Sequence, residues 1–595
     1  MTHGHRVRWI APLLYLVMAL AARNGFAEST ADDDTVRIRY RVVIDAPRAL
    51  KATLEKTLDL VRWEDYEDMT AVVLDRLIRE GVEEVKEAAA AEGYFSPRVD
   101  IAVDPPGDPD ARRIVRVKLE PGEAVRIKDV RVTVTGPAAN GDPLGGAAIA
   151  NVRRNWLLPE GSRFRQVAWD DAKLRAATTL ASSAYAAARI TRSEARIDPE
   201  ARTAVLEVDL ESGPPFYFGA LEVEGLQRYD LAVVRNFNTL TVGEPYTSER
   251  LDQYVRRLQA SGYFASVQAR LDPDPATAQA GVIRVAVIEA PRHRIEGGIA
   301  YSTDSAIRGD FRYTDVNINQ RATQLGVDGR LDLKIQNLGF RLTRPPTATG
   351  YIDTLQGKVE RTDIAGLQTR SALLGVRRYT LEERNRTGYS LTYYEDDQRS
   401  AGLPSERSRA LYAALDRTWR NVDVLIAPTR GYVLNTEIGA APIATRLFGR
   451  GIAQFAAYMS AGRDNVIQFR AEAGAVLAST RSGVPSALLF RTGGDTTVRG
   501  YAFESLGVTR GEATIGGRYY VVGSIEAAHY FTEQLGAAVF VDAGNAGDNL
   551  SQLRPVFGYG AGARIKSPVG PLRIDLAYGE AKRQIRLHMS VGITF

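Results

Sequence analysis

QIRLHMSVGITF, residues 584–595, sorts its side chains by parity. Ile585, Leu587, Met589, Val591, Ile593 and Phe595 alternate with Gln584, Arg586, His588, Ser590, Gly592 and Thr594. A period of two puts the six apolar side chains on one face of a strand. Taken alone, the stretch reads as a half-buried edge strand of a soluble sheet, so the segments before it decide the fold. LRIDLAY (572–578), GYGAGARI (558–565), LGAAVFVDAG (535–544) and RYYVVGSIEAAHYF (518–531) follow the same habit, and VIQFRAEAGAVL, GIAQFAAYMSA and GYVLNTEIGA precede them. Such spans lie close to the ~9–11 residues of a tilted membrane strand.

Followed back to Arg294, the alternation gives about 16 strands, an even number as in bacterial barrels, with the fourth near 338–342. TEQ (532–534), KSPVG (566–570) and GRDN (462–465) are tight turns, whereas 545–555 and 482–517 are long. Short turns on one side and long loops on the other are expected of an outer-membrane barrel. A soluble sheet of this size would leave edges to protect, and closure in a membrane removes them. The apolar face of 584–595 then meets lipid, and Phe595 ends the last strand at the periplasmic rim.

The whole chain fits this reading. Its 595 residues exceed one soluble core. With 76 basic and 72 acidic residues the net charge is +4, too small to argue for nucleic acid. The absence of cysteine excludes disulfides, thiolate metal sites and a cysteine nucleophile. At the start, His5, Arg6 and Arg8 precede IAPLLYLVMALAA and a small-residue site ending at Ala27, which predicts a secretory signal over 1–27.

Between these ends, three stretches repeat one order of features. AEGYF (91–95), SSAYA (182–186) and ASGYF (260–264) each precede a short strand, an Asp-Pro turn and a second alternating strand. Ala184 stands where the other two copies have Gly93 and Gly262. Before the first copy, Leu74, Ile78, Val82, Val85 and Ala89 recur at helical spacing. Each unit therefore reads as a β-α-α-β-β module, and repetition at a domain-sized period argues for tandem copies over three unrelated domains.

The candidate functional residues lie late in the chain. GGDTTVRGYAFES (493–505) interrupts the strands. Glu526 shares a face with Ser524, opposite Ile525, and Asp542 lies opposite Val539 and Val541, so both carboxylates point into the barrel. Inward carboxylates need partners, and an arginine fork suits them. No Walker loop, HExxH or GxSxG occurs, and His3, His5, His293, His529 and His588 lack metal-ligand spacing. DAGNAGDNL has no EF-hand spacing. Gly558, Gly560 and Gly562 suit a strand face close to a packed loop better than a nucleotide site. A protein without enzymatic activity, metal or cofactor is expected.

Together the three modules, VRGY (498–501), PTRGY (428–432) and ARIKSPVGPLRIDLAY (563–578) resemble the BamA/TamA superfamily of outer-membrane assembly factors. The resemblance implies three tandem α+β POTRA domains (36–121, 122–213 and 214–291) followed by an antiparallel 16-stranded transmembrane β-barrel over 292–595. It maps Val498, Arg499, Gly500 and Tyr501 onto the sixth-loop motif, with Glu526 and Asp542 as partners of Arg499. It implies a C-terminal strand signal at Phe595, while Gly592, Gly297 and Gly298 suit a loosened seam between first and last strands. Three modules favour the TamA type, with insertion and secretion of autotransporters and other outer-membrane proteins as the activity. A TamB-like inner-membrane-anchored partner, unfolded substrates, and a bilayer containing lipopolysaccharide are the expected partners, and the location is the Gram-negative outer membrane with the modules in the periplasm. A BamA-like general factor and a two-partner secretion pore are the alternatives, and a diffusion porin would leave the modules unexplained.

Overall fold

The computed structural model describes residues 37–104, 112–303, 306–382, 384–402, 404–425, 427–567 and 570–594. The predicted signal segment 1–27 and Phe595 lie outside them. The chain forms two compact units, one running through Ala181 plus Ala188–Ser212, the other comprising Ser182–Ala187 and the chain from Gly213 onward.

The first unit holds two small sheets of one topology. Strands Tyr40–Asp45, Arg98–Asp104 and Arg113–Glu120 form the first, and Arg126–Thr135, Arg189–Asp198 and Thr203–Glu211 the second. In each, the third strand lies centrally, parallel to the first and antiparallel to the second. Helix Ala71–Ala91 packs through Leu74, Leu77, Gly81, Val85 and Ala89. Ile78 and Val82, expected on that stripe, are only half-buried. The face passes through Gly81 because a Cβ there would stand 2.9 Å from Leu60 Cδ1, so Leu60 of the preceding helix fills the space. The GYF turn is also an anchor: Gly93, at φ 91°, accepts the Val125 N–H at 2.8 Å, and Glu92 binds Arg163 and Arg165 of the next module.

The second unit opens with a third sheet of the same topology, Phe218–Glu224, Phe264–Leu271 and Gly281–Glu289. Ala184 accepts the Phe216 N–H at 2.7 Å and Tyr263 accepts that of Ala290 at 2.8 Å, repeating the anchor seen at Gly93. Sixteen antiparallel strands then close a barrel in sequence order. They are β1 (His293–Ser302), β2 (Ala306–Ile318), β3 (Thr323–Leu331), β4 (Ile335–Thr343), β5 (Tyr351–Ile364), β6 (Leu367–Thr380), β7 (Asn385–Ser400), β8 (Glu406–Val422), β9 (Gly431–Ala444), β10 (Phe448–Ser460), β11 (Asn465–Leu477), β12 (Tyr519–Tyr530), β13 (Leu535–Gly547), β14 (Val556–Ser567), β15 (Gly570–Gly579) and β16 (Gln584–Thr594). Ile299, Leu338, Val359, Ile438, Ile525, Val539, Leu576 and Ile585 are among many large apolar residues exposed on the strands. An apolar belt of that extent suits lipid, not water. Among the described residues no helix is long and apolar enough to cross a membrane.

The third sheet's core runs on into the barrel through Val316 and Ala322. Tyr263 Oη donates to the Ala322 carbonyl at 2.6 Å, Gln324 Nε2 to that of Ser261 at 2.7 Å, and Asn236 Nδ2 to that of Pro346 at 2.7 Å. These contacts mark the module-side end of the barrel.

The loops differ from the expectation. At the far end most strand pairs join within two to five residues, and residues 478–518 are the long exception. The reason is strand length: β5 to β8 span 14 to 17 residues and run past the apolar belt, so polar segments that look like loops are paired. The stretch from Asn545 also stays in β13 through Gly547. In PTRGY, Gly431 sits at φ 110°, where a Cβ would come within 2.0 Å of the Asn421 carbonyl, and Asp423 clasps the turn by accepting Thr429 Oγ1 at 2.6 Å.

Candidate functional site

Residues 478–518 join β11 to β12 and fold into the barrel interior. Phe490 stacks on Tyr520 with centroids 4.4 Å apart, and Val498 and Tyr501 are buried in the same cluster. A two-stranded hairpin, Val508–Arg510 with Ala513–Ile515, caps the β5–β6 turn, where Thr514 N donates to the Ala365 carbonyl at 2.9 Å.

Arg499 is the centre of this packing, only 2 % exposed. Its Nε and Nη2 grip Asp542 at 2.7 and 2.9 Å, and its backbone N–H donates to the same carboxylate at 3.0 Å. Nη1 reaches Glu526 at 2.7 Å and Asp575 at 3.1 Å. Cζ lies 3.3 Å above the Phe540 ring centroid. Ser524 Oγ adds a 2.7 Å bond to Asp542. A second guanidinium, Arg564, bonds Glu526 through Nε and Nη2 at 2.9 and 2.8 Å and Asp575 through Nη1 at 2.6 Å. Two cations thus share three carboxylates away from water. Buried charges persist only when paired and hydrogen-bonded in this way.

Strand register makes the room for it. Ser524, Asp542, Gly558 and Gly579 lie side by side across β12 to β15, and Gly562, Asp575 and His588 across β14 to β16. A Cβ on Gly558 would stand 1.9 Å from the Arg499 carbonyl oxygen, and one on Gly579 2.5 Å from that of Gly500. Gly500, at φ 92°, donates its N–H to His588 Nε2 at 2.9 Å. Tyr501 Oη donates to the Phe557 carbonyl and accepts from Ala581 N at 3.0 Å. Glycines on the inner face therefore let the loop backbone lie directly on the sheet. Gly558→Ala is expected to push Arg499 off its seat at a cost of roughly 1–3 kcal/mol, the usual penalty of overpacking. Several-fold faster protease cutting within 478–518, with an unchanged barrel circular dichroism signal, is the measurement that checks it.

The structure brings Val498, Arg499, Gly500, Tyr501, Glu526 and Asp542 together at this site. It adds Arg564, Asp575 and His588, which sequence reasoning passed over although Arg564 and Asp575 lie in the quoted 563–578 stretch. The parity that turned Asp542 inward finds both: Arg564 shares a face with Gly558, Gly560 and Gly562, and Asp575 lies between outward Ile574 and Leu576. Gly592 lies elsewhere, opposite Ala300 where β16 meets β1. Among the described residues that junction has five residue pairs, Gly298 with Thr594 through Ser302 with Ser590, against fourteen between β7 and β8. Residues 584–590 of β16 pair with β15, and 590–594 with β1.

Comparison with known proteins adds a lineage to this geometry. The Omp85 superfamily domain model matches residues 294–595, and the POTRA model, described as a surface antigen variable number repeat, matches 216–287. Outer envelope protein 80, chloroplastic, of Arabidopsis thaliana is 34% identical over 115 residues, 18% of this chain and 14% of that protein. Outer membrane protein assembly factor BamA of Nitratidesulfovibrio vulgaris is 24% identical over 384 residues, 61% of this chain and 48% of its own length. The chain thus spans less than half of either curated relative. The crystal structure of BamA from Haemophilus ducreyi lacking POTRA domains 1-3 shares the fold, with a TM-score of 0.56 at 18% identity over 79% of this chain and 100% of that one.

Proposed function

Because the chain belongs to the Omp85 superfamily, we propose that it is an outer-membrane assembly and translocation factor, with all three modules acting as periplasmic POTRA domains. Its substrates are unfolded outer-membrane proteins, autotransporters among them. The observation that carries this reading is the seam between β1 and β16, five residue pairs among the described residues. A short ladder has few backbone hydrogen bonds to give up, so the N–H and C=O groups of β1 that it uses can instead template an incoming strand by β-augmentation. No covalent chemistry is involved. Repetition of one module topology three times supports a TamA-type member working with a TamB-like partner, and the BamA relative supports the alternative of a general assembly factor.

A photo-crosslinking residue at Ile299, opposite Ile593 across the seam, checks the template. A nascent autotransporter barrel should form adducts there and not at Leu391, inside the continuous β7–β8 ladder. Equal labelling at both positions would sink the template. Loss of autotransporters alone on depletion marks the TamA type, and loss of all barrel proteins marks the general factor.

A further inference from the structure

Outside the loop site, the outer face of the barrel carries an arrangement that neither fold nor assembly requires. Arg361 of β5 and Arg370 of β6 are directly opposite partners. Both share a face with exposed apolar residues, Val359 on β5 and Leu374 on β6, so both guanidinium groups point away from the interior. Side chains so placed are ~5 Å apart at Cβ, and like charges there repel. Among the described residues neither guanidinium has a carboxylate within ion-pair distance. The row continues through Asp397, which bonds Arg399 at 3.0 Å and lies directly opposite both Arg370 and Arg407 of β8. Three strand spacings of ~4.8 Å make the row about 14 Å long.

Arg361 and Arg370 line one side of an open groove of about 760 Å³ that extends over β2 to β5, its apolar lining being Phe311, Leu331, Leu338 and Val359. Gly329 leaves its floor open, since a Cβ there would meet nothing closer than 3.7 Å. Cations along one side of an apolar trough are the complement of a phosphorylated lipid, head group on the cations and acyl chains in the trough. The arginines sit near the Ala365-Gly366 turn, at the end opposite the turns that the third module holds.

We propose that this face binds a diphosphorylated, multiply acylated glycolipid of the lipid A kind, with one phosphate between Arg361 and Arg370 and the sugars reaching toward Arg407. Placing it in the outer leaflet rests on the periplasmic location of the modules given above. The length of the row decides for this occupant: one phospholipid phosphate satisfies the first two arginines, whereas a head group with a phosphate at either end of a disaccharide spans the row. Bidentate arginine–phosphate bonds supply the affinity.

The test uses the full chain in nanodiscs of phosphatidylcholine doped with bisphosphorylated lipid A, monophosphorylated lipid A or phosphatidylglycerol. Lipid retained on detergent extraction is read by native mass spectrometry. Wild type should hold bisphosphorylated lipid A roughly tenfold better than the Arg361→Ala/Arg370→Ala variant, and better than either other lipid. The Arg361→Lys/Arg370→Lys variant should fall between, keeping charge without the fork. In pure phosphatidylcholine the alanine variant should melt within a degree or so of wild type, because the lost Arg361–Arg370 repulsion offsets the lost attraction of Arg370 for Asp397. Equal retention by wild type and the alanine variant overturns the site. Equal retention of phosphatidylglycerol assigns it to phospholipid and overturns the glycolipid, and a lower melting point in phosphatidylcholine makes the arginines structural. No assembly substrate is present, so a chain that holds the glycolipid yet assembles nothing loses only the assembly reading.

Discussion

Arg499→Ala is expected to release residues 478–518 from the barrel interior while leaving the barrel closed. The side chain holds Asp542 bidentately and touches Glu526 and Asp575, all nearly inaccessible to water. Removing it leaves Asp542 with Ser524 as its side-chain donor, whereas Glu526 and Asp575 keep Arg564. Breaking a buried pair from one side costs about 3–5 kcal/mol. At ~1.4 kcal/mol per factor of ten, the loop's open population rises by roughly two to three and a half orders of magnitude. Limited proteolysis of the folded barrel reads that population when the loop recloses faster than it is cut. Asp542→Asn should do less, because Arg499 retains two carboxylates, and the Arg499→Ala/Asp542→Ala double variant should recover part of the loss because no charge is stranded at that position. Identical cutting of wild type and Arg499→Ala would remove the lock from the account.

The second large effect lies at the seam. Cysteines at Ile299 and Ile593, or at Ala300 and Gly592, are register partners across β1 and β16. Opposite residues of an antiparallel pair have Cα atoms ~4.5–5.5 Å apart, within the ~4.4–6.8 Å that a disulfide spans without strain. The chain has no cysteine of its own, so the introduced pair is the only thiol chemistry present. Oxidised staples should abolish assembly of a barrel substrate, and reductant should restore it. A staple between Leu391 and Ala413, inside the long β7–β8 ladder, should change nothing. Fully formed seam staples that leave assembly at the wild-type rate would make the protein a static pore or scaffold.

How much of this was legible in the sequence follows from which interactions are local. Alternation is local, so 16 strands and the inward turn of Glu526 and Asp542 could be read from parity alone. Arg499 could not: 493–505 has no period, and only a resemblance pointed to its partners. The same parity turns Arg564 and Asp575 inward on the next two strands. His588 lacks metal-ligand spacing, and in the structure its Nε2 accepts the Gly500 N–H, a backbone partner that no residue pattern announces. Loop lengths misled because turn-forming residues mark a hairpin without saying how far its strands pair beyond the membrane. The opposition of Arg361 and Arg370 depends on register between strands, which no single segment carries.

The hydrogen bond from Gly500 N to His588 Nε2 has a thermodynamic consequence. His588 belongs to the half of β16 that pairs with β15, two residues before the strand crosses to β1 at Ser590. One short segment is therefore a ligand of both the inserted loop and the first strand. Two equilibria that share a reactant are linked, and the linkage is reciprocal. Whatever free energy loop release adds to seam opening, seam opening must add to loop release. A substrate strand that captures β1 thereby loosens the loop, and a molecule that clamps the loop from outside raises the work of admitting a strand. Protease cutting of 478–518 during turnover is thus a gauge of how far the gate has moved.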